Sequence, residues 1–171
     1  MTRETARRLT LVRHAKSDWA DASLDDVDRP LNARGARDAP EMAARLLAAG
    51  LVPTRMVSSP ALRALTTAHT FAKAFGYPAS RIRVAQEAYL ARPAELLDIV
   101  RELGGRARHL MLFGHNPGIS AFAVELTGDR SLSDLPTCAV VSMLAPVADW
   151  SALAPGGARL DRCDFPRNRP A

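Results

Sequence analysis

A short apolar run that ends in an arginine and a histidine constrains the fold of this chain more than any other feature. Residues 9–12 are Leu-Thr-Leu-Val, and Arg13 and His14 follow directly. An unbroken run of this kind is typical of a strand buried on both faces of a parallel sheet. Ligands of open α/β sheets bind beyond the carboxyl ends of the strands. We therefore expect Arg13 and His14 to lie at the functional edge of such a sheet.

A second buried run has the same design. Residues 109–113 are His-Leu-Met-Leu-Phe, and Gly-His-Asn-Pro comes next. His115 thus takes the position after its strand that His14 takes after the first. Asn116, followed by proline, is suited to begin a helix. His14 and His115 are therefore predicted to occupy equivalent positions at the ends of two strands.

Shorter apolar segments alternate with amphipathic ones along the rest of the chain. We predict strands at 55–58, 82–85, 140–144 and 160–165, and helices at 35–49, 60–75, 94–103 and 116–126. This alternation indicates an α/β fold. A length of 171 residues predicts a single domain over 1–171, with flexible ends at 1–8 and 166–171.

The positive charge of the chain is concentrated at its ends. The net charge is +5, of which residues 1–8 and residues 159–171 each contribute +2. A nearly neutral body argues against a nucleic-acid groove. No apolar run approaches the roughly 20 residues of a membrane helix, and the first residues lack the apolar core of a secretion signal. We expect a cytoplasmic protein without membrane or nucleic-acid partners.

The two cysteines do not form a recognisable motif. Cys138 and Cys163 are far apart, without a CxxC pair or a cysteine–histidine cluster. Reduced structural thiols are therefore expected, and neither a metal nor a cofactor is predicted.

Two further segments carry candidate binding groups. Ser59 and Pro60 follow the strand at 55–58 and are suited to cap a helix, which places Arg63 in its first turn. A helix N-terminus beside an arginine favours an anion, although a solvated arginine is the commoner arrangement. Glu87 follows the strand at 82–85 and is interpreted either as a proton donor or as a loop carboxylate without a role.

An acidic loop separates the first strand from the first helix. Residues 18–28 contain five aspartates and neither lysine nor arginine. A solvated loop is one interpretation. The other is that these acids line the mouth of the site, where they disfavour acidic small substrates or favour a basic partner.

Taken in order, these motifs resemble the histidine phosphatase superfamily, which has the phosphoglycerate-mutase-like fold, and most of all its short SixA-like phosphohistidine phosphatase branch. The resemblance spans nearly the whole chain. It is carried by Arg13-His14-Ala15 with Ser17, Arg29-Pro30-Leu31 with Gly35, Ser58-Ser59-Pro60 with Arg63-Ala64 and Thr67-Ala68, Glu87, and Gly114-His115. Ala15 departs from the glycine of most members, a change common in the short branch.

The resemblance implies a three-layer α/β/α fold with a mostly parallel central sheet, and a phosphatase in which His14 is the nucleophile. Phosphoryl transfer needs positioning and neutralisation of charge. Arg13, Arg63 and His115 are expected to supply that charge without a metal. Glu87 aligns with the proton donor of several members. Polar contacts to phosphate or to the histidines are expected from Ser17 and Asn116.

The resemblance also implies a substrate class. The short chain has no long insertion that would cover a small metabolite, so we expect an open pocket reached by phosphohistidine on a histidine phosphotransfer domain. The alternatives are a broad phosphomonoesterase for small phosphorylated metabolites and a non-catalytic phosphate-binding module. A monomer is expected. Activity is expected to fall in acid as His14 protonates and in alkali as His115 deprotonates.

Overall fold

The computed structural model describes residues 6–168, and these form a six-stranded sheet with four α-helices. The strands are β1 (Arg7–Arg13), β2 (Arg55–Ser58), β3 (Arg83–Val84), β4 (His109–Gly114), β5 (Val140–Ala145) and β6 (Arg159–Asp164). The helices are α1 (Ala33–Ala48), α2 (Leu62–Phe75), α3 (Pro93–Leu103) and α4 (Gly118–Thr127). No helix of residues 6–168 is long and apolar enough to cross a membrane.

The sheet is mostly parallel, as predicted, with the order β3-β2-β4-β1-β5-β6. Strand β1 lies in the middle, parallel to β4 and antiparallel to β5. Strand β2 runs parallel to both β4 and β3, whereas β6 is antiparallel to β5. Arg13 is level with Gly114 in the register of β1 and β4. The residues that follow these two strands therefore emerge side by side.

Helices cover both faces of the sheet and complete the three-layer architecture. Successive side chains of a strand point to opposite faces, and those of β4 enter two separate cores. Leu110 and Leu112 pack with α3 and α4, whereas Met111 and Phe113 pack with α1 and α2. Every residue of β4 is buried. This burial explains why the strand has no polar alternation in the sequence.

The start of α1 lies against the loop that follows β1. The Asn32 side chain caps the helix by accepting the Gly35 N–H at 2.9 Å, and the Asn32 N–H donates to the Lys16 carbonyl at 3.0 Å. A Cβ atom at Gly35 would lie 2.2 Å from that carbonyl oxygen. Glycine is needed here because a side chain would push the helix away from the loop that carries His14.

Both ends of the described segment contact the rest of the fold. Arg7 and Arg8 belong to β1. At the other end, Arg45 donates hydrogen bonds to the carbonyls of Pro166 and Asn168 at 3.0 and 2.9 Å. Strand pairing thus includes residues 7–8, and Arg45 contacts residues 166 and 168, whereas the flexibility predicted for 1–8 and 166–171 stays a prediction. Residues 1–5 and 169–171 lie outside the described residues.

Candidate active site

A cavity of about 380 Å³ opens where the residues following β1, β2 and β4 meet. Six residues predicted from the sequence line it: Arg13, His14, Ser17, Arg63, His115 and Asn116. The ring centroids of the two histidines are 5.3 Å apart. The register of β1 and β4 thus brings together groups separated by about a hundred positions in the chain.

The backbone fixes the position and the tautomer of His14. Its N–H donates to the Gly114 carbonyl at 3.0 Å, and the next N–H, of Ala15, donates to Thr67 Oγ1 at 3.0 Å. The ring Nδ1 lies 2.7 Å from the Ala15 carbonyl oxygen. A carbonyl can only accept a hydrogen bond, so Nδ1 carries the proton. Nε2 is left with an available lone pair in a ring that lines the cavity.

Burial keeps the His14 ring neutral. It lowers the pKa of His14 to about 4, and the nearby Arg63 and Arg13 act in the same direction, against the opposing effect of the Ala15 carbonyl. An unprotonated imidazole nitrogen is therefore present throughout the neutral pH range. A nucleophile needs this form.

Ser59 was predicted to cap α2, but its side chain contacts His115 instead. Helix α2 begins at Leu62. The Ser59 hydroxyl accepts the Ala61 N–H at 3.2 Å and lies 2.7 Å from His115 Nε2. Burial, reinforced by His14 and Arg63, lowers the pKa of His115 to about 3. The imidazolium expected with a bound dianion is thus not the form of His115 in the site without substrate.

Three buried nitrogen atoms of the cavity have no hydrogen-bond partner. They are Arg13 Nε, Arg63 Nε and His115 Nδ1, and residues 6–168 contain one other such side-chain atom, Asp38 Oδ2. Burial also lowers the pKa of Arg13. Unsatisfied buried polar groups are costly and uncommon in proteins. All three belong to residues that line one cavity, where an oxyanion such as phosphate can accept hydrogen bonds from them.

Asp26 joins the arginines of the site. Arg63 donates to the Asp26 carbonyl at 2.6 Å and to its carboxylate at 2.9 Å. Arg29 Nε donates to the same carboxylate at 3.1 Å, and Tyr89 donates to it through its hydroxyl. The Tyr89 hydrogen bond, aided by Arg63, lowers the pKa of Asp26 to about 2. Asp26 is therefore ionised under all ordinary conditions.

Asp26 and Arg29 line the cavity but were not predicted as site residues. The sequence did offer a signal for Arg29, because Arg29-Pro30-Leu31 is one of the motifs that carry the family resemblance. Asp26 was hidden among the five aspartates of the acidic loop, residues 18–28. One member of that loop thus lies at the mouth of the site.

Ser17 and Asn116 line the cavity, yet their polar atoms are used in holding its walls. Ser17 Oγ accepts a hydrogen bond from Arg29 at 3.1 Å. The Asn116 side chain accepts the N–H of Ser120, in the first turn of α4, at 3.2 Å and donates to the Leu135 carbonyl at 2.9 Å. These contacts show that both residues position the groups around them.

Glu87 is not brought to His14, and the prediction that it donates a proton is corrected by its position. It lies in the short helical turn Gln86–Ala88, in which Ala88 is buried and Glu87 is exposed. Glu87 lines a different cavity of about 500 Å³, together with Glu95, Asp98 and Glu102. The turn directs the alanine inward, so the carboxylate faces away from the site.

We therefore expect Glu87→Gln to leave catalysis almost unchanged. kcat/KM for a phosphoester and for a phosphohistidine substrate should each stay within about twofold of wild type, because no general-acid contribution of 10²-fold or more is lost. Steady-state kinetics on both substrates measure this. A loss confined to the phosphoester would restore Glu87 as the acid.

The pKa of His14 predicts an unusual acid limb. The neutral ring is the active form, so kcat/KM should fall only below about pH 4, with the ionisation of the substrate measured separately. A bound dianion raises the pKa of a neighbouring imidazole, so an alkaline fall in kcat should report the deprotonation of His115 in the complex. An acid limb near pH 6.5 would show that His14 is not buried as described.

The geometry defines an α/β site in which a neutral histidine lies among arginines, an arrangement that suits an oxyanion. The family model of the histidine phosphatase superfamily (branch 1) matches residues 9–128, a segment that contains Arg13, His14, Arg63 and His115. The chain belongs to this superfamily, and it is a phosphatase.

Similar proteins agree with this assignment. An uncharacterised protein of Mycobacterium tuberculosis is 34% identical, over 91% of this chain and its own full length. The structure of an Agrobacterium tumefaciens protein provisionally designated phosphohistidine phosphatase SixA is 28% identical, with a TM-score of 0.79, 94% of this chain covered and 98% of that one. A protein histidine phosphatase SixA bound to tungstate shares the fold at 22% identity, with a TM-score of 0.78 and coverages of 94% and 98%.

Proposed function

We propose that this phosphatase removes the phosphoryl group from phosphohistidine carried by a protein, through a covalent intermediate on His14. The fold and family support phosphatase chemistry in general. The substrate and the residue roles are our inference from the site. They rest on one observation, the absence of a protonated carboxyl group among the described residues that line the cavity.

Asp26 is the one carboxylate among those lining residues, and its pKa of about 2 keeps it ionised. An alkoxide leaving from a phosphoester needs a proton as it departs. Phosphohistidine does not, because an imidazole whose other ring nitrogen is already protonated leaves as a neutral molecule. The site therefore fits cleavage of a P–N bond better than cleavage of a P–O bond to an alcohol.

The reaction then has two balanced steps. His14 Nε2 forms a bond to phosphorus as the bond from phosphorus to the substrate imidazole breaks. A water oxygen next attacks phosphorus, the bond to Nε2 breaks, and the water gives up a proton as inorganic phosphate forms. In the intermediate the ring of His14 is cationic, and the Ala15 carbonyl that accepts from Nδ1 stabilises this charge. Arg13, Arg63 and His115 bind the phosphoryl oxygens.

The test compares a phosphorylated histidine phosphotransfer domain with p-nitrophenyl phosphate, for wild type and His14→Ala, in EDTA. Loss of activity with His14 and a higher kcat/KM for the protein substrate would support the proposal. Activity on p-nitrophenyl phosphate alone would indicate a general phosphomonoesterase. Binding of phosphate without turnover of either substrate would indicate a non-catalytic module.

A further inference from the structure

The two most exposed large apolar side chains of residues 6–168 stand at the mouth of the cavity. Trp19 is 71% exposed and Leu90 is 55% exposed, and both line the cavity that contains His14. Burying such side chains in a complex is favourable because apolar surface is removed from water. Their position beside the site indicates that they contact whatever enters the cavity.

Trp19 is held in place although it is exposed. The Arg29 guanidinium carbon lies 3.4 Å from the centroid of the indole ring, within cation–π distance. Arg29 is itself buried and donates to Ser17 Oγ and to the Asp18 carbonyl at 3.1 and 3.2 Å. The indole therefore rests on a fixed support. A preorganised side chain loses less entropy when a partner binds.

The position of Leu90 is also fixed, in a turn whose backbone conformation is unfavourable for leucine. Its φ angle is +51°, in the left-handed region where residues other than glycine are strained. Its neighbour Tyr89 hydrogen-bonds Asp26. On its other side Ala91 packs so closely on Gly118 that a Cβ there would lie 1.9 Å from the Ala91 carbonyl oxygen. Surrounding contacts thus fix a strained turn that exposes a leucine.

The loop that carries Trp19 is negatively charged. The acidic loop that carries Trp19 contains five aspartates and no basic residue. Asp21, Asp25 and Asp28 are exposed, and no side-chain ion pair is found for them in the described part of the chain. Such a surface repels small substrates with additional carboxylates and attracts a basic surface. A partner surface with apolar side chains would gain from covering the exposed indole and leucine.

We infer that Trp19, Leu90 and the acidic loop form a docking rim for a phosphoprotein whose phosphohistidine is flanked by apolar and by lysine or arginine side chains. The inference rests on the proposed function and adds the chemistry by which the partner is recognised. Apolar contacts bind next to the phosphohistidine, and the aspartates select the basic residues around it. Arg13 and Arg63 bind the phosphoryl group, which all substrates share, so these arginines add affinity without adding selectivity.

Two synthetic peptides with one phosphohistidine each test the rim. In the first the phosphohistidine is flanked by leucine and lysine, and in the second by serine and glutamate. Each kcat/KM is divided by that for phosphoramidate, a small P–N substrate, in the same variant. We expect wild type to prefer the first peptide by about tenfold or more, and the preference to decrease with added salt.

The variants separate the apolar part from the charged part. Trp19→Ala should lower the normalised kcat/KM for the first peptide about tenfold, and Asp25→Lys/Asp28→Lys should reverse the preference for basic over acidic flanks. Matched controls are Leu47→Ala, another exposed apolar residue, and Asp98→Lys/Glu102→Lys at the second cavity. Both should keep the wild-type preference.

Equal use of the two peptides by wild type would overturn the docking rim and leave the phosphohistidine phosphatase standing. A loss in Trp19→Ala that is as large for phosphoramidate as for the peptides would also overturn it, because Trp19 would then act only through Arg29. Failure to cleave either peptide or phosphoramidate, with p-nitrophenyl phosphate still hydrolysed, would overturn the proposed function and the rim together.

Discussion

Replacing His14 by alanine is expected to reduce phosphate release by at least about 10⁴-fold on every substrate, because no other group can form the covalent intermediate. The neighbouring histidine cannot substitute. His115 Nε2 is used by Ser59, and a bound dianion favours the protonated ring, which has no lone pair with which to attack phosphorus. Rapid acid-free quenching and mass spectrometry should find a phosphoryl group on His14 in wild type and none in the variant.

The control for this experiment is His69→Ala, which removes an exposed histidine of α2. It should retain wild-type activity and form the intermediate. Thermal unfolding of both variants separates a loss of chemistry from a loss of folding. If His14→Ala kept more than about one per cent of the activity, or if the phosphoryl group were found on another residue, His14 could not be the nucleophile.

Replacing Arg63 is expected to have the second largest effect. Arg63→Ala should lower kcat by about 10²- to 10³-fold, the usual loss for one preorganised donor to transition-state charge. Arg63→Lys should recover little of this. Lysine keeps a charge but lacks the forked guanidinium, and the unpartnered Nε of Arg63 has no counterpart in lysine.

Inhibition by tungstate, an oxyanion, provides a second measurement on the same variants. Its Ki should rise together with the loss of kcat/KM. Arg37→Ala, at an exposed position of α1, is the matched control and should change neither value. A higher KM with an unchanged kcat would contradict the expected role, because Arg63 would then bind ground state and transition state equally.

The central histidines could be predicted from the sequence because strand ends are local features. The buried runs of β1 and β4 are recognisable in the sequence as unbroken apolar segments. In a parallel sheet the residues that follow such strands lie at one edge. Only the pairing of β1 with β4 is not local, and the family resemblance supplied it. Arg63 was found for a related reason, since it lies in the first turn of the helix that follows β2.

The other parts of the site depend on contacts between distant loops. Asp26 accepts hydrogen bonds from Arg63 and Tyr89, 37 and 63 positions away, and no local pattern distinguishes it from its neighbouring aspartates. The predicted role of Glu87 could not be judged from the sequence for a different reason. The direction of a side chain in a three-residue helical turn is set by which neighbour is buried, and here Ala88 occupies the core.

The position of Asp26 has a consequence for anyone who would redesign this enzyme or compare it with its relatives. One carboxylate supports the guanidinium groups of Arg29 and Arg63 and the hydroxyl of Tyr89. The acidic loop and Arg63 of the cavity therefore share an anchor. If the docking rim proposed above selects the partner, exchanging residues 18–25 between homologues is expected to change selectivity alone, whereas a graft that also replaces Asp26 is expected to change selectivity and turnover together.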